Sequence, residues 1–253
     1  MKLEQEQLIR KVTKIGNGAH IFVPKEWLGE EVIIARPIKK LNEKILSILW
    51  SYLGDIRGVY LYGSHARGEA EEKSDIDLFI ISDKKLKIKS KGYEIICLEE
   101  KNIKKAIKIS PLLVYSVLSE AKPIMNSSLL ELLRKKHRPS KASFLSYIKE
   151  TENMINIDKE LIEKKQNLAG VSYSLLLRLK GIYLINCLLF KKKYSNKDFL
   201  SWLELKVPKS SLEKAIVAYK AIKRDEKISG KLGLDSADLK EILLLLEKEI
   251  KKW

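Results

Sequence analysis

The stretch YGSHARGEAEEKSDIDLFI, residues 62–80, sets two aspartates one residue apart in what otherwise reads as a buried strand. Strand side chains alternate between faces, so Asp75 and Asp77 point one way while Ile76 and Leu78 point the other. Like charges one pleat apart repel, and burying them unpaired is expensive. That face of the sheet must stay wet or receive a positive charge.

The surrounding residues favour the second option. The run VYLY ends at Gly63-Ser64, where glycine lets the backbone come close to a ligand. Ser64 offers a hydroxyl and an amide to a phosphate oxygen, and a following helix adds its N-terminal dipole. Ten residues separate Ser64 from Asp75, room for a short helix and a return. A third strand-like run, Tyr93-Glu94-Ile95-Ile96, brings Glu94 beside the aspartates if it pairs with SDIDLFI. Three convergent carboxylates make a hard oxygen site suited to Mg²⁺. Two such ions about 3.5–4 Å apart serve in-line attack at phosphorus, one activating the attacking oxygen and both stabilising the transferring group. Taken alone, Asp75 also suits a strand cap and Asp77 a lysine salt bridge, while Glu99 or Glu100 competes with Glu94 from beyond the strand end. The Gly-Ser pair on a separate strand tips the balance towards chemistry.

GSHARGEAEEKSDIDL resembles the signature of the DNA polymerase β-like nucleotidyltransferase superfamily, most closely its minimal and kanamycin nucleotidyltransferase groups. The motif of Gly-Ser, ten residues and Asp-x-Asp is met by Gly63, Ser64, Asp75 and Asp77, and Ala66-Arg67-Gly68 and Ser74 also match. The similarity covers about 100 residues, with SEAKPIM at 119–125 fitting the segment that closes the domain. It implies transfer of a nucleoside monophosphate from an NTP with pyrophosphate leaving, and two Mg²⁺ ions held by Asp75, Asp77 and Glu94. It also implies nucleotide contacts from Gly63, Ser64, Arg67 and Ser74. Arg67 equally suits a pairing with Glu69 or Glu71 that fixes the loop. His65 reads as a loop residue near phosphate rather than a base.

The expected fold is α+β and multidomain. A small N-terminal β module spans 1–38, a mixed-sheet α/β nucleotidyltransferase domain 39–138, and a C-terminal helical bundle 139–253. In the first region VTKI, HIFVP and EVIIARP read as two or three strands punctuated by glycine and Pro37. This segment is similar to the AbrB-like swapped-hairpin family, especially short archaeal versions, through Val12-Thr13-Lys14, Gly16-Asn17-Gly18, Ile21, Pro24, Lys25 and Gly29-Glu30-Glu31-Val32. One copy buries too little apolar area to stand alone, so a homodimer is expected. DNA binding is the weaker expectation, because Lys11, Lys14, Lys25 and Arg36 are offset by Glu26, Glu30 and Glu31.

In the bundle, segments 141–166, 171–192, 196–204, 209–228 and 236–252 show helical apolar spacing, with turns expected at Gly170, Asn196, Pro208 and Gly230/Gly233. SYSLLLRLKGIYLINCLLFKKKYSNKDFLSWL looks like the helical region that helps form the acceptor site in several such transferases. Lys180 and Lys191–Lys193 read as a solvated face, Arg178 needs a partner, Trp27 and Trp202 read as core, and His137 as an exposed linker residue.

The formal net charge of +16 favours an anionic partner such as nucleic acid or nucleotide, or describes a solvated lysine-rich surface. Cys97 and Cys187 lie in apolar runs and read as small buried hydrophobes in a reducing cytosol. The N-terminus lacks a signal-peptide pattern, and no run approaches the roughly 18–20 apolar residues of a membrane span, so a cytoplasmic protein without a membrane partner is expected. The expected activity is Mg²⁺-dependent transfer of NMP, AMP from ATP foremost, to a hydroxyl on a protein, an RNA or a small molecule. The alternative is a DNA-binding regulator or antitoxin-like module that senses nucleotide without turnover.

Overall fold

A computed structural model describes residues 10, 12–32, 34, 40–72, 74–223 and 233–253. The chain divides into two compact units, 1–39 and 40–253.

In the first unit β1 (Thr13–Ile15) pairs antiparallel with β2 (Gly18–His20) across a turn at Gly16, where φ is +53°. Only glycine takes that conformation without strain. A short 3₁₀ turn follows at Lys25–Trp27. Residues 21–24 of HIFVP and the described residues of EVIIARP, Glu31, Val32 and Ile34, are not strand, so among the described residues two three-residue strands stand where longer ones are expected. Ile33 and residues 35–37 of that third run, like Lys11 and Arg36, lie outside the described residues. Trp27 is half-buried.

The second unit opens with α1 (Lys40–Leu49) and a 3₁₀ segment at Trp50–Asp55. These lead into β3 (Ile56–Tyr62), α2 (Gly63–Arg67), β4 (Ile76–Ser82) and β5 (Tyr93–Glu99). Then come α3 (Ile103–Ile109), α4 (Pro111–Glu120), β6 (Lys122–Met125) and α5 (Ser127–Lys136). The mixed sheet runs β5-β4-β3-β6, with β4–β5 parallel and the other pairs antiparallel. Gly58 falls inside β3 beside an irregular register. A Cβ there would meet the Tyr60 hydroxyl, so the missing side chain makes room for that ring. The lysine-rich stretch 83–92 forms no helix.

Alternation sorts the strands onto two apolar clusters. Val59, Leu78 and Ile80 pack with α1 residues Ile45 and Leu49 on one face. Tyr60, Tyr62, Phe79 and Ile81 pack with Val114, Val117, Leu118 and Leu130 on the other. Each fully buried aliphatic contributes about 1.5–3 kcal/mol by leaving water, which fixes the register from both sides.

The remaining helices are α6 (Leu145–Glu163), α7 (Leu168–Leu189), α8 (Asn196–Glu204), α9 (Lys209–Lys223) and α10 (Ser236–Ile250). Gly170 lies in the first turn of α7 rather than between helices. Asn167 starts that helix by accepting the Gly170 N–H, and a Cβ at Gly170 would strike the Asn167 side chain. The residues of 209–228 beyond Lys223, and Gly230, lie outside the described residues. By length and composition α7 is apolar enough to cross a membrane, closer than the sequence reading allows. In this fold Leu175, Leu179, Ile182 and Ile185 are buried in the helical cluster. Arg178 on α7 pairs with Glu150 at 2.9 Å and lies over the Tyr147 ring. Trp202 is half-buried against the helical cluster, and His137, half-buried, caps the end of α5. Both cysteines are free, Cys187 buried and Cys97 only partly so.

Candidate active site

The motif residues gather where β3 ends and β4 and β5 begin. Asp77 pairs in register with Tyr62 of β3 on one side and Glu94 of β5 on the other. All three therefore belong to the face that carries Tyr60, Phe79 and Ile81. Asp75 precedes β4 with the same parity and is exposed, as is Glu94, whereas Asp77 is partly buried.

Gly63 has φ of +68°, and a Cβ built on it would lie 1.8 Å from Asp77 Oδ2. Backbone and carboxylate thus share a space that no other residue type leaves open. The Gly63 N–H donates to Glu120 Oε1 at 2.9 Å. Arg67 Nη1 donates to Glu120 Oε2 at 2.6 Å, and Arg67 Nε to Glu69 Oε2 at 2.8 Å. Of the two roles open to Arg67, bracing the loop is the one seen. Ser64 sits in the first turn of α2. Ser74 Oγ accepts the Glu71 N–H at 2.9 Å, and Ser74 O lies 3.3 Å from His65 Nε2, which closes the loop between α2 and β4.

The bundle reaches this loop. Glu69 accepts the Asn196 N–H at 2.8 Å and its side-chain amide at 3.1 Å, and Asn196 Oδ1 accepts the Tyr194 hydroxyl at 2.7 Å. Arg67 and Lys180 lie over the Tyr194 ring at 5.3 and 5.6 Å. Lys180 is half-buried, not on a solvated face.

The electrostatics record the crowding of charge. Burial, then Glu94, push the Asp77 carboxyl up to about 6, with Arg67 opposing. Burial, followed by Glu94, Asp77 and Glu120, raises Tyr62 far above a normal phenol, so it stays a donor. Burial lowers Arg67, but its two glutamates prevail and hold it above its usual value. Burial, then Lys223 and Arg67, pull Lys180 down to about 8.

Among the described residues no group of three or more His, Cys, Asp or Glu side chains is close enough to hold a metal ion. The donors are nevertheless of the right kind. Asp75, Asp77 and Glu94 offer only hard oxygens on one face, and a divalent cation would relieve both the burial and the Glu94 repulsion that raise the Asp77 pKa. Sequence reasoning missed Glu120, Tyr62, Tyr194 and Asn196. Only Glu120 left a trace, an acid closing the otherwise apolar helix PLLVYSVLSE.

Three comparisons bear on this geometry. Residues 43–129, roughly a third of the chain, match the family described as polymerase beta, nucleotidyltransferase. Residues 7–35 match a family described as "Putative transposon-encoded protein". A Methanocaldococcus jannaschii protein described as "Putative protein adenylyltransferase" is 40% identical over 45 residues, 18% of this chain and 45% of that protein. The chain thus matches less than half the length of this curated relative. Among solved structures, a nucleotidyltransferase-like protein from Exiguobacterium sibiricum aligns at 12% identity and a TM-score of 0.37, over 84% of this chain and 75% of its own. Spectinomycin adenyltransferase from Enterococcus faecialis, solved with ATP and spectinomycin, aligns at 15% identity and a TM-score of 0.46, over 83% and 97%.

Proposed function

We propose, from the match of residues 43–129 to the polymerase beta nucleotidyltransferase family, that the protein transfers a nucleoside monophosphate, AMP from ATP, to a hydroxyl acceptor with release of pyrophosphate. The observation that carries this reading is Asp77, seated against the bare backbone of Gly63 and in register with Glu94.

Asp75, Asp77 and Glu94 would hold Mg²⁺. When bound, Mg²⁺ neutralises the triphosphate and stabilises the charge of the transferring group. Ser64 receives a phosphate oxygen at the start of α2, and Gly63, whose N–H is held by Glu120, leaves the space beside it free of a side chain. Glu120 fixes Gly63 through its N–H and Arg67 through its guanidinium, so one carboxylate sets both the floor and the cationic wall. The Tyr62 hydroxyl, held protonated on the acid face, is available to donate to a substrate oxygen. Lys180 brings a cation from the helical bundle to the same loop, and its lowered pKa rises again when a polyphosphate arrives. The acceptor enters from the bundle side, past Tyr194 and Asn196, as a hydroxyl of a protein, an RNA or a small molecule. The protein works as a cytoplasmic homodimer joined through residues 1–38.

A regulator that senses nucleotide without turnover gains nothing from the Asp77–Glu94 repulsion, which weakens that second reading. The test is incubation with labelled ATP, CTP, GTP or UTP and Mg²⁺, following pyrophosphate and labelled product. ATP is expected to be used best, and Asp75→Asn with Asp77→Asn to abolish turnover. Equal labelling by the double variant refutes the enzyme.

A further inference from the structure

The helical bundle holds a cavity of about 540 Å³ among the last turns of α7, α8 and the C-terminal end of α10. It falls in the size range of small-ligand sites. Its walls combine two chemistries. Tyr183, Trp202 and Trp253 supply aromatic faces, with Tyr183 and Trp202 centroids 5.3 Å apart. Phe190 joins them at the rim although it is 71% exposed.

Four lysines and one glutamate also line it, beside Asn186, Cys187 and Leu189. Lys141 lies over the Trp253 ring at 5.5 Å and Lys206 over the Trp202 ring at 5.5 Å. Glu249, 3% exposed, binds Lys252 at 2.7 Å and Lys206 at 3.6 Å. Lys192 follows Lys191, whose φ of +54° ends α7, and its N–H donates to Cys187 O at 2.8 Å. That left-handed turn sets Phe190 and Lys192 side by side on the rim.

We propose that this cavity takes a nucleotide unit of a single-stranded nucleic acid, its base stacked on Trp253 or Trp202 and its phosphate among Lys141, Lys192 and Lys206. A base is a better partner for an indole face than an exposed lysine, and the displaced ammonium needs only to rotate to reach the phosphate. A paired base cannot enter, which selects single strands over duplex. The chain charge of +16 adds a general attraction. Tyr183 also meets Tyr194 at 6.1 Å, and Tyr194 carries Arg67, so a seated strand lies two aromatic rings from the transferase loop.

The test needs no nucleotide turnover. Full-length protein is titrated with a fluorescein-labelled eight-residue oligoadenylate, reading anisotropy and tryptophan quenching across salt concentrations. Saturable quenching is expected, with binding weakened about tenfold by Trp253→Ala and comparably by Phe190→Ala, whose rim position spares the fold. Lys192→Gln is expected to lower the salt slope by about 0.7, one phosphate contact on a single strand. Lys135→Gln with Lys136→Gln, on α5, is expected to leave quenching unchanged, and so is Asp75→Asn with Asp77→Asn. Wild-type affinity in both aromatic variants overturns the proposal, as does displacement by oligoglutamate at equal charge. AMP binding as tightly as the oligomer overturns the strand in favour of a free nucleotide.

Discussion

Apolar side chains meet opposite fates in the two units. In residues 12–34, Phe22 is 73% exposed, Leu28 87% and Ile34 65%, beside two strands of three residues each. In the sheet of the second unit Val59, Leu78 and Ile80 are fully buried on seven-residue strands with helices on both faces. The difference teaches what each needs. The sheet is stabilised by its own chain, whereas the hairpin presents apolar surface that only another surface removes from water.

The sharpest separation is in chemistry. Asp75→Asn with Asp77→Asn is expected to cut transfer by more than about 10³-fold, whereas removal of residues 1–39 leaves the rate within about twofold. Pyrophosphate release measures both. A truncated chain that loses activity as deeply as the double variant erases the functional distinction between the units.

Gly63→Ala comes next. The new Cβ meets the Asp77 carboxylate at a φ of +68°, so either the loop or the acid moves. We expect about 10²-fold lower turnover and roughly 2–3 kcal/mol lost from the unfolding free energy by urea titration. The same substitution at Gly29, also at positive φ (+90°) but with nothing near its Cβ, costs only about 1 kcal/mol and no activity. Similar outcomes at both glycines would mean that backbone strain, not the contact with Asp77, sets the effect.

The exposed hairpin gives a third contrast. Phe22→Asp with Leu28→Asp is expected to turn a dimer into a monomer by light scattering, with the melting temperature of the main transition shifted by no more than a few degrees. A wild-type chain that is monomeric at micromolar concentration leaves the apolar surface without its second copy.

How much of this was legible follows from sequence distance. The shared face of Asp75 and Asp77 comes from alternation within one strand, which a sequence displays directly, whereas Glu94 joins them only through the β4–β5 pairing. The bounds of the helix Ser127–Lys136 are also local, since Asn126 caps it and the lysines close it. The Glu120–Gly63 bond spans 57 positions and the Glu69–Asn196 bonds 127, so no local pattern announces them. Lys180 was misread for the same reason. Helical spacing says which face it occupies but not that the transferase loop covers that face. The hairpin strands were overdrawn because Val, Ile and Phe at alternating positions signal strands only when something buries one side.

The smallest effect is a pH dependence confined to the acid face. The Asp77 carboxyl rises from its ordinary value to about 6, chiefly through burial and then through Glu94. The folded protein therefore binds that proton more tightly than the unfolded chain. The resulting stabilisation is complete below about pH 4 and is lost as pH climbs through 6. Asp158, buried in the bundle, also rises to about 6 through desolvation and follows the same sign, so wild-type curves alone do not separate the two. Asp77→Asn does. Relative to wild type it is expected to gain about 1 kcal/mol between pH 4 and 7, the full linkage value being reduced by solvent screening at this half-open site. Mg²⁺ in millimolar amounts is expected to cancel the wild-type loss at pH 7 and to leave the variant unmoved. Identical pH profiles for the two proteins, with and without the cation, would show that neither burial nor Glu94 raises the Asp77 carboxyl, and the acid face would then be no more strained than the hairpin.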